Sequence, residues 1–172
     1  MSSDPLDRAL DLAKLLQSAA DTVLKPPSAT VAARTEPVIY FALVRDTRGY
    51  IERVAHQVNG CYASGWYDAC AVMLRRLIET LLIECFEAHR LESAIKDSSG
   101  NYLFLRDLVE RALKESSWTL GRTARAALPR LKEIGDKSAH SRRYNGHRED
   151  IDRIAADVRD VVQELVSLAR LK

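Results

Sequence analysis

Helix-breaking residues are scarce in this chain, which has seven glycines and five prolines among 172 residues. A turn-rich β fold needs more of them, so their scarcity disfavours that class of fold and favours long helices. The apolar fraction of 47% and the charged fraction of 29% are those of an ordinary globular protein. A chain of this length can bury a sizeable core, and we expect one main domain.

Cysteines are few too, and Cys61, Cys70 and Cys85 lack the C-x-x-C spacing of metal and redox sites. This pattern indicates free, buried thiols in a reducing cytoplasm. The N-terminus lacks the basic-then-apolar order of a signal peptide. Apolar runs such as Ala69 to Leu74 are far shorter than the roughly 20 residues that span a bilayer. We therefore predict a cytoplasmic protein without a membrane partner.

Motifs for common cofactors are missing. The sequence has no P-loop and no dinucleotide-binding glycine pattern, and no Ser or Cys lies in a recognisable nucleophile motif. His56 and His89 are too far apart to show the spacing of metal ligands. We predict neither a cofactor nor a metal.

A strong excess of one charge is also lacking, since the net charge is only +2. No global basic field therefore indicates a nucleic-acid partner. Residues 121–148 nevertheless hold eight basic and two acidic side chains, with Tyr144 and His147 among them. Such a segment suits phosphate contacts and base stacking, or it is an ordinary solvated surface. Its basic residues are Arg122, Arg125, Arg130, Lys132, Lys137, Arg142, Arg143 and Arg148.

The longest helical pattern runs from Trp66 to Arg90, a stretch without glycine or proline. Apolar residues recur there every three or four positions and fill a broad arc of the helical wheel. The opposite arc mixes charged residues with Val72, Ile83 and Phe86, which predicts a central helix contacted on most sides. The main apolar arc consists of Cys70, Met73, Leu74, Leu77, Ile78, Leu81, Leu82 and Cys85.

Prolines divide the chain into two predicted segments. Asp4-Pro5 is typical of a helix start, and Pro26-Pro27 ends that helix, so residues 1–36 are predicted to be an N-terminal helix with a linker. Residues 37–172 are predicted to form a helical bundle.

Further helical patterns cover this second segment, whose start at residues 38–41 is compatible with helix or strand. A helix is predicted from Thr47, with Tyr50, Ile51, Val54, Val58 and Tyr62 on one face. Pro129 is expected to separate a short helix from the next one. The other predicted helices cover residues 103–115 and 149–170. The predicted fold is all-α, an up-and-down bundle of about five to seven helices.

Charged residues on the central helix are the first candidates for a site. Arg75 and Glu79 are spaced i,i+4, and Arg76 and Glu79 are spaced i,i+3, so each pair shares a helix face. Either they form exposed ion pairs, or they are buried and bind a neighbouring helix. His140 lies at the end of a predicted helix, where it either caps backbone carbonyls or takes part in chemistry.

Two phrases carry a resemblance to a known family: LRRLIETLL at residues 74–82 and LKEIGDKSAH at residues 131–140. Their order and separation resemble an uncharacterised bacterial branch of the HEPN superfamily (higher eukaryote and prokaryote nucleotide-binding domains). That branch has an RR-x-x-E helix, then a G-N/D-x-x-A-H segment, then a final amphipathic helix. The resemblance covers roughly Arg45 to Lys172 and implies a helical bundle that commonly dimerises.

Many HEPN members cut RNA without a metal, using an Arg-x4-6-His motif that typically begins Arg-Asn. The resemblance places the motif histidine on His140, the Asn position on Asp136 and the motif arginine on Gly135. A second spacing, Arg142-x4-His147, also fits the motif, but in a loop. In such an enzyme a histidine acts as general base and an arginine neutralises the developing phosphate charge.

Three functions follow from these patterns. The first is a non-enzymatic HEPN-like module, expected to be a homodimer, that binds nucleic acid such as RNA, a nucleotide, or a protein partner such as an antitoxin, in bacterial antiphage defence or a toxin–antitoxin system. The second is a metal-independent ribonuclease that uses His140 or His147 with Arg142 or Arg143. The third is a purely structural dimerisation domain.

Overall fold

The computed structural model describes residues 11–16, 36–140 and 145–172, without the side chains of residues 134, 136, 137, 139 and 140. The chain divides into two units, Met1–Ala33 and Arg34–Lys172. In the first unit, residues 11–16 form a helix, α1, whose side chains are exposed. The other residues of the predicted N-terminal helix and nearly all of its linker lie outside the described residues.

The second unit is a bundle of α-helices, and the prediction of an all-α fold is confirmed. Among the described residues there is no β-strand, and the only bridge pairs Lys96 with Tyr102. A 3-10 helix, Glu92–Ile95, lies between α4 and α5. The α-helices are α2 (Phe41–Val44), α3 (Gly49–Ala63), α4 (Tyr67–Ala88), α5 (Leu105–Lys114), α6 (Arg122–His140) and α7 (Arg148–Leu168).

Helix α4 is central, as its apolar pattern predicts. It packs against α3, α5, α6 and α7. The predicted apolar arc is buried except for Met73, which is half-buried. Ala71, Glu84 and Phe86 are buried as well, so the covered part of α4 is wider than that arc.

Helices α3 and α4 form an antiparallel hairpin because only three residues separate them. Gly65 adopts a φ of 76°, which favours glycine, and the Trp66 N–H then donates to the Cys61 carbonyl at 2.9 Å. Tyr50 is the one member of the predicted α3 face that is exposed. It lies at the edge of the α3 apolar face, is 41% exposed, and directs its hydroxyl toward Glu84.

Helix α6 corrects the prediction of two helices separated by Pro129, because it continues through that proline. Proline lacks an N–H, so the turn before it loses one hydrogen bond. Buried residues on both sides of Pro129 lie on one face and pack into the core, which offsets this loss. They are Ala124, Ala127, Leu128 and Leu131.

Helix α7 closes the bundle and fixes the segment before α2. Asp150 accepts the N–H of His147 at 3.1 Å and so caps the start of α7. In the middle of α7, Arg159 donates to the carbonyls of Val38 (3.1 Å) and Pro37 (2.6 Å). The ambiguous segment is therefore neither long helix nor strand. It is a bend with Val38 and Ile39 buried, followed by the short α2.

Candidate functional site

The two HEPN-like phrases meet where α4 and α6 cross. A Cβ atom added at Gly135 would lie 2.8 Å from Arg75 Cβ, and 3.3 Å from both Cγ and Cδ of the same side chain. Real Cβ atoms do not approach so closely, so the backbone of α6 can reach α4 here only with glycine. The pairing of the two phrases in the resemblance predicts that Arg75 or Arg76, with Glu79, lies close to the Gly135–His140 segment, and for Arg75 this is confirmed at Gly135.

The other two charged residues of the first phrase, Arg76 and Glu79, are not among the nearest neighbours of Gly135. Arg76 is exposed and Glu79 is half-buried. Within the part of the chain that the structure describes, neither side chain makes an ion pair. The helical spacing therefore allows an Arg76–Glu79 pair that the structure does not form.

A second contact lies on the same side of α4. The Gly146 N–H donates to Asp68 Oδ1 at 2.9 Å, and a Cβ at Gly146 would lie 3.0 Å from that oxygen. Asp68 precedes Arg75 by seven residues, or two turns, so the two side chains share one side of α4 about 10 Å apart. Both Gly135 and Gly146, which bracket residues 136–145, are thus held against that side.

Several predicted site residues fall outside the description. Arg142, Arg143 and Tyr144 lie in the undescribed residues 141–144, and only the backbone of Asp136 and His140 is described, within α6. The side chain of His147 is exposed, and the residue occupies the N-cap position of α7. Of the predicted set, the structure therefore brings together Arg75 and Gly135.

The described part of the predicted basic segment is not uniformly exposed. Arg125 donates to the Leu113 carbonyl at 2.8 Å, and Arg130 pairs with Asp157 at 2.9 Å. Arg148 is buried, which contradicts its place in an exposed patch. Cations that bind groups of the same chain contribute less to a phosphate-binding surface.

Arg148 is buried because it belongs to a polar cluster at the start of α7. Its Nε lies 3.1 Å from the Tyr62 hydroxyl and 3.5 Å from an oxygen of Asp152. The Tyr62 hydroxyl in turn donates to Asp152. A buried guanidinium needs such partners, and the cluster fixes α7 against α3.

Sequence reasoning missed Glu84, which at 4% exposed is the most deeply buried acid among the described residues. Arg48 Nε donates to it at 2.8 Å, and the Tyr50 hydroxyl donates to it as well. Burial raises the pKa of Glu84, and the neighbouring Arg48 opposes this rise. A signal was present, because Glu84 follows Leu77 by seven residues and Leu81 by three, which places it inside the apolar arc.

A polar cleft of about 690 Å³ at the other end of the bundle was missed too. The Glu164 carboxylate accepts the N–H of Gly121 there, which fixes the start of α6. His89 Nε2 lies 3.2 Å from the Leu168 carbonyl, and its ring contacts Trp118 at 5.0 Å between centroids. The cleft is lined by His89, Thr119, Thr123, Asp160, Gln163, Glu164, Ser167, Leu168 and Arg170.

The three cysteines are free, and Cys70 and Cys85 are buried as predicted, whereas Cys61 is half-buried. Burial raises the pKa of both Cys70 and Cys85 to about 12, so these thiols stay protonated and unreactive. In the described residues no cluster of three His, Cys, Asp or Glu side chains is suited to holding a metal ion. No helix among them has both the length and the apolar character to cross a membrane.

Comparison of the chain with protein-family models, with curated proteins and with solved structures gives no significant match. The resemblance to the HEPN superfamily thus rests on the two sequence phrases. The structure adds that these phrases are in direct contact, through Arg75 and Gly135.

Proposed function

We propose that this protein is a non-catalytic, HEPN-like helical module that acts as a homodimer and binds a protein partner. The observation that carries the proposal is the 2.8 Å separation between Arg75 Cβ and a Cβ placed at Gly135. In a bacterial defence or toxin–antitoxin setting, the partner would be an antitoxin-like protein.

The argument against catalysis starts from the position that the resemblance assigns to the motif arginine. That position is Gly135, and the approach of α4 leaves no room there for a side chain of any size. The motif therefore lacks the cation that neutralises the phosphate in the transition state. Loss of one such preorganised group typically lowers the rate by about 10²–10³.

The argument for a protein partner comes from charge. The net charge is +2, and three cations of the basic segment, Arg125, Arg130 and Arg148, bind groups of the same chain. A surface that attracts RNA needs several exposed cations close together. Of the described cations in this segment, Arg122, Arg125 and Arg130 are exposed, two of these three bind groups of the same chain, and Arg148 is buried, which favours protein over nucleic acid.

Incubation of purified protein with total RNA in EDTA tests the proposal. We expect intact RNA with the wild type and with the His140→Ala and His147→Ala variants. Cleavage by the wild type that is lost in either variant would overturn the non-catalytic assignment. Tight, salt-sensitive RNA binding without cleavage would overturn the choice of a protein partner.

The ribonuclease alternative is favoured by one observation, the position of Arg75. Its Cβ, Cγ and Cδ lie along Gly135, so its side chain takes up the space that a motif arginine on α6 would need. Arg75 would then supply the cation from α4, beside His140 on α6. In the same RNA assay this enzyme would lose cleavage in Arg75→Ala and keep it in Arg76→Ala.

A further inference from the structure

One face of the central helix is left uncovered by the other helices in the part of the bundle that the structure describes. Its residues recur every three or four positions, and all of them are exposed or half-buried. At 100° per residue they occupy an arc of about 120°. We call this arc the open face of α4; it consists of Ala69, Val72, Met73, Arg76, Glu79, Thr80, Ile83 and Glu87.

Four of the eight residues of the open face are apolar: Ala69, Val72, Met73 and Ile83. Val72 is 37% exposed, and Met73 and Ile83 touch the core while part of each side chain remains in water. Trp66, 52% exposed, lies at the N-terminal end of α4. Val72 and Met73 lie on one side of the polar centre of this face and Ile83 on the other, and partly exposed apolar residues within a polar surface favour an interface.

Aromatic residues extend this surface at the C-terminal end of α4. The Tyr102 hydroxyl donates to Glu87 at 2.6 Å, which holds the ring beside the open face. Phe104 is 78% exposed and follows Tyr102 by two residues in the stretch that precedes α5. Exposed aromatic side chains are enriched at the centres of protein interfaces.

The charges of the open face indicate what covers it. Arg76 and Glu79 lie near its middle, carry opposite signs and make no ion pair among the described residues. A second copy of α4, turned end for end about the midpoint between them, brings each Arg76 opposite Glu79 of the partner subunit. A parallel copy in register would instead bring like charges together.

The same antiparallel arrangement matches the apolar residues. It places Val72 opposite Ile83 of the partner subunit, and Trp66 beside the end of α4 where Tyr102 and Phe104 lie. A twofold interface must be complementary to itself, and the open face meets this condition in its central charges, Arg76 and Glu79, and in Val72 and Ile83.

We propose that two copies of this chain associate through the open face of α4, with the two helices antiparallel. The proposal rests on the homodimer that forms part of the proposed function, and it names the surface that forms that dimer.

Sedimentation velocity at micromolar concentrations tests the proposal by charge reversal. Glu79→Arg or Arg76→Glu alone should weaken the dimer about 100-fold or more, because each puts two like-charge contacts into a twofold interface. The double variant Arg76→Glu/Glu79→Arg should restore the dimer, since it exchanges the charges without changing their complementarity. Arg153→Glu, on the exposed side of α7, is the matched control and should leave the dimer unchanged.

A second variant tests the apolar part. Val72→Asp should also give monomers, because it buries a carboxylate opposite Ile83, and the charge-exchanged background should not rescue it. A dimer that persists in both Glu79→Arg and Val72→Asp would overturn this interface while leaving a homodimer in place. A wild type that is monomeric at these concentrations would overturn the dimer itself, whereas the choice between binding and catalysis depends only on the RNA assay.

Discussion

Among single residues, Gly135 occupies the position where the structure most clearly requires glycine. Glycine in a helix usually costs about 1 kcal/mol relative to alanine, so Gly→Ala in a helix normally stabilises. At Gly135 the added methyl group would lie 2.8 Å from Arg75 Cβ, and one of the two helices must move. Overpacking of this kind typically costs about 1–3 kcal/mol.

We therefore expect Gly135→Ala to lower the free energy of unfolding by about 1–3 kcal/mol. Gly60→Ala in α3 is the matched control, because a Cβ at Gly60 meets nothing within 4 Å. That control should stabilise by about 0.5–1 kcal/mol. Urea unfolding of both variants measures the two values, and a shift of the same sign in both would contradict the close α4–α6 contact.

The raised pKa of Glu84 predicts how the free energy of unfolding depends on pH. Because burial raises its pKa in the folded state, the folded protein holds this proton at pH values where the unfolded chain has released it. The contribution of Glu84 to stability is thus largest below the unfolded pKa and falls as the pH rises toward the folded pKa.

The comparison of wild type with Glu84→Gln isolates this effect, because glutamine does not titrate. We expect the free energy of unfolding of the wild type to fall relative to the variant as the pH rises from about 4.3, the ordinary pKa of a glutamate. Above the folded pKa the difference should become constant. Chemical unfolding at a series of pH values measures it, and a difference that rises with pH would show that the ion pair with Arg48 outweighs burial.

Among the secondary-structure elements, the sequence predicted those helices whose apolar pattern and flanking turn residues lie within the helix itself or directly beside it. The apolar period of α4 predicts both its length and its central position, and Gly65 predicts the turn before it. Pro129 shows the limit of local signals. Its chemistry disfavours a continuous helix, and only the burial of residues on either side explains why α6 continues through it.

The segment before α2 could not be predicted because its partner is distant in sequence. Arg159 is more than 120 positions away, yet it donates to the carbonyls of Pro37 and Val38, and its guanidinium lies 3.9 Å from the centre of the Tyr40 ring. No periodic pattern of residues 37–40 contains this information. A single arginine thus fixes a segment that has no regular structure of its own.

We expect Arg159→Ala to destabilise the protein by about 1–3 kcal/mol, because it removes charge-assisted hydrogen bonds to two carbonyl groups. Arg153→Ala is the control on the same helix. The Arg153 side chain is 75% exposed and lies 3.9 Å from Asp150, so its loss should change stability by less than about 0.5 kcal/mol. Thermal unfolding of both variants provides the measurement, and equal losses would contradict a specific role for Arg159.

For the whole molecule, the sequence predicted the class of fold and one contact of the candidate site, but not the surface left open. The apolar neighbours of these charges and the pairing of the two phrases in the resemblance predict that Arg75 or Arg76, with Glu79, lies close to Gly135–His140, and Arg75 does so at Gly135. Val72, which is exposed, and Ile83, which is half-buried, were predicted to be contacted by other helices, because apolar residues on nearly every side of a helix predict that it is central. Which face of such a helix remains uncovered depends on how the other helices are placed, and this placement has no local signal.

The open face of α4 leads to a prediction about the stability of the whole protein. If folded chains associate and unfolded chains do not, mass action makes the folded state more stable at higher protein concentration. The Tm of the wild type should therefore rise between about 1 and 100 μM, by about 2–4 °C for each kcal/mol that association contributes. The Glu79→Arg variant should show a Tm that does not depend on concentration, and the double variant Arg76→Glu/Glu79→Arg should regain the dependence. Calorimetry over this range measures all three proteins, and a wild-type Tm that stays constant while the protein sediments as a dimer would mean that association adds nothing to folding stability.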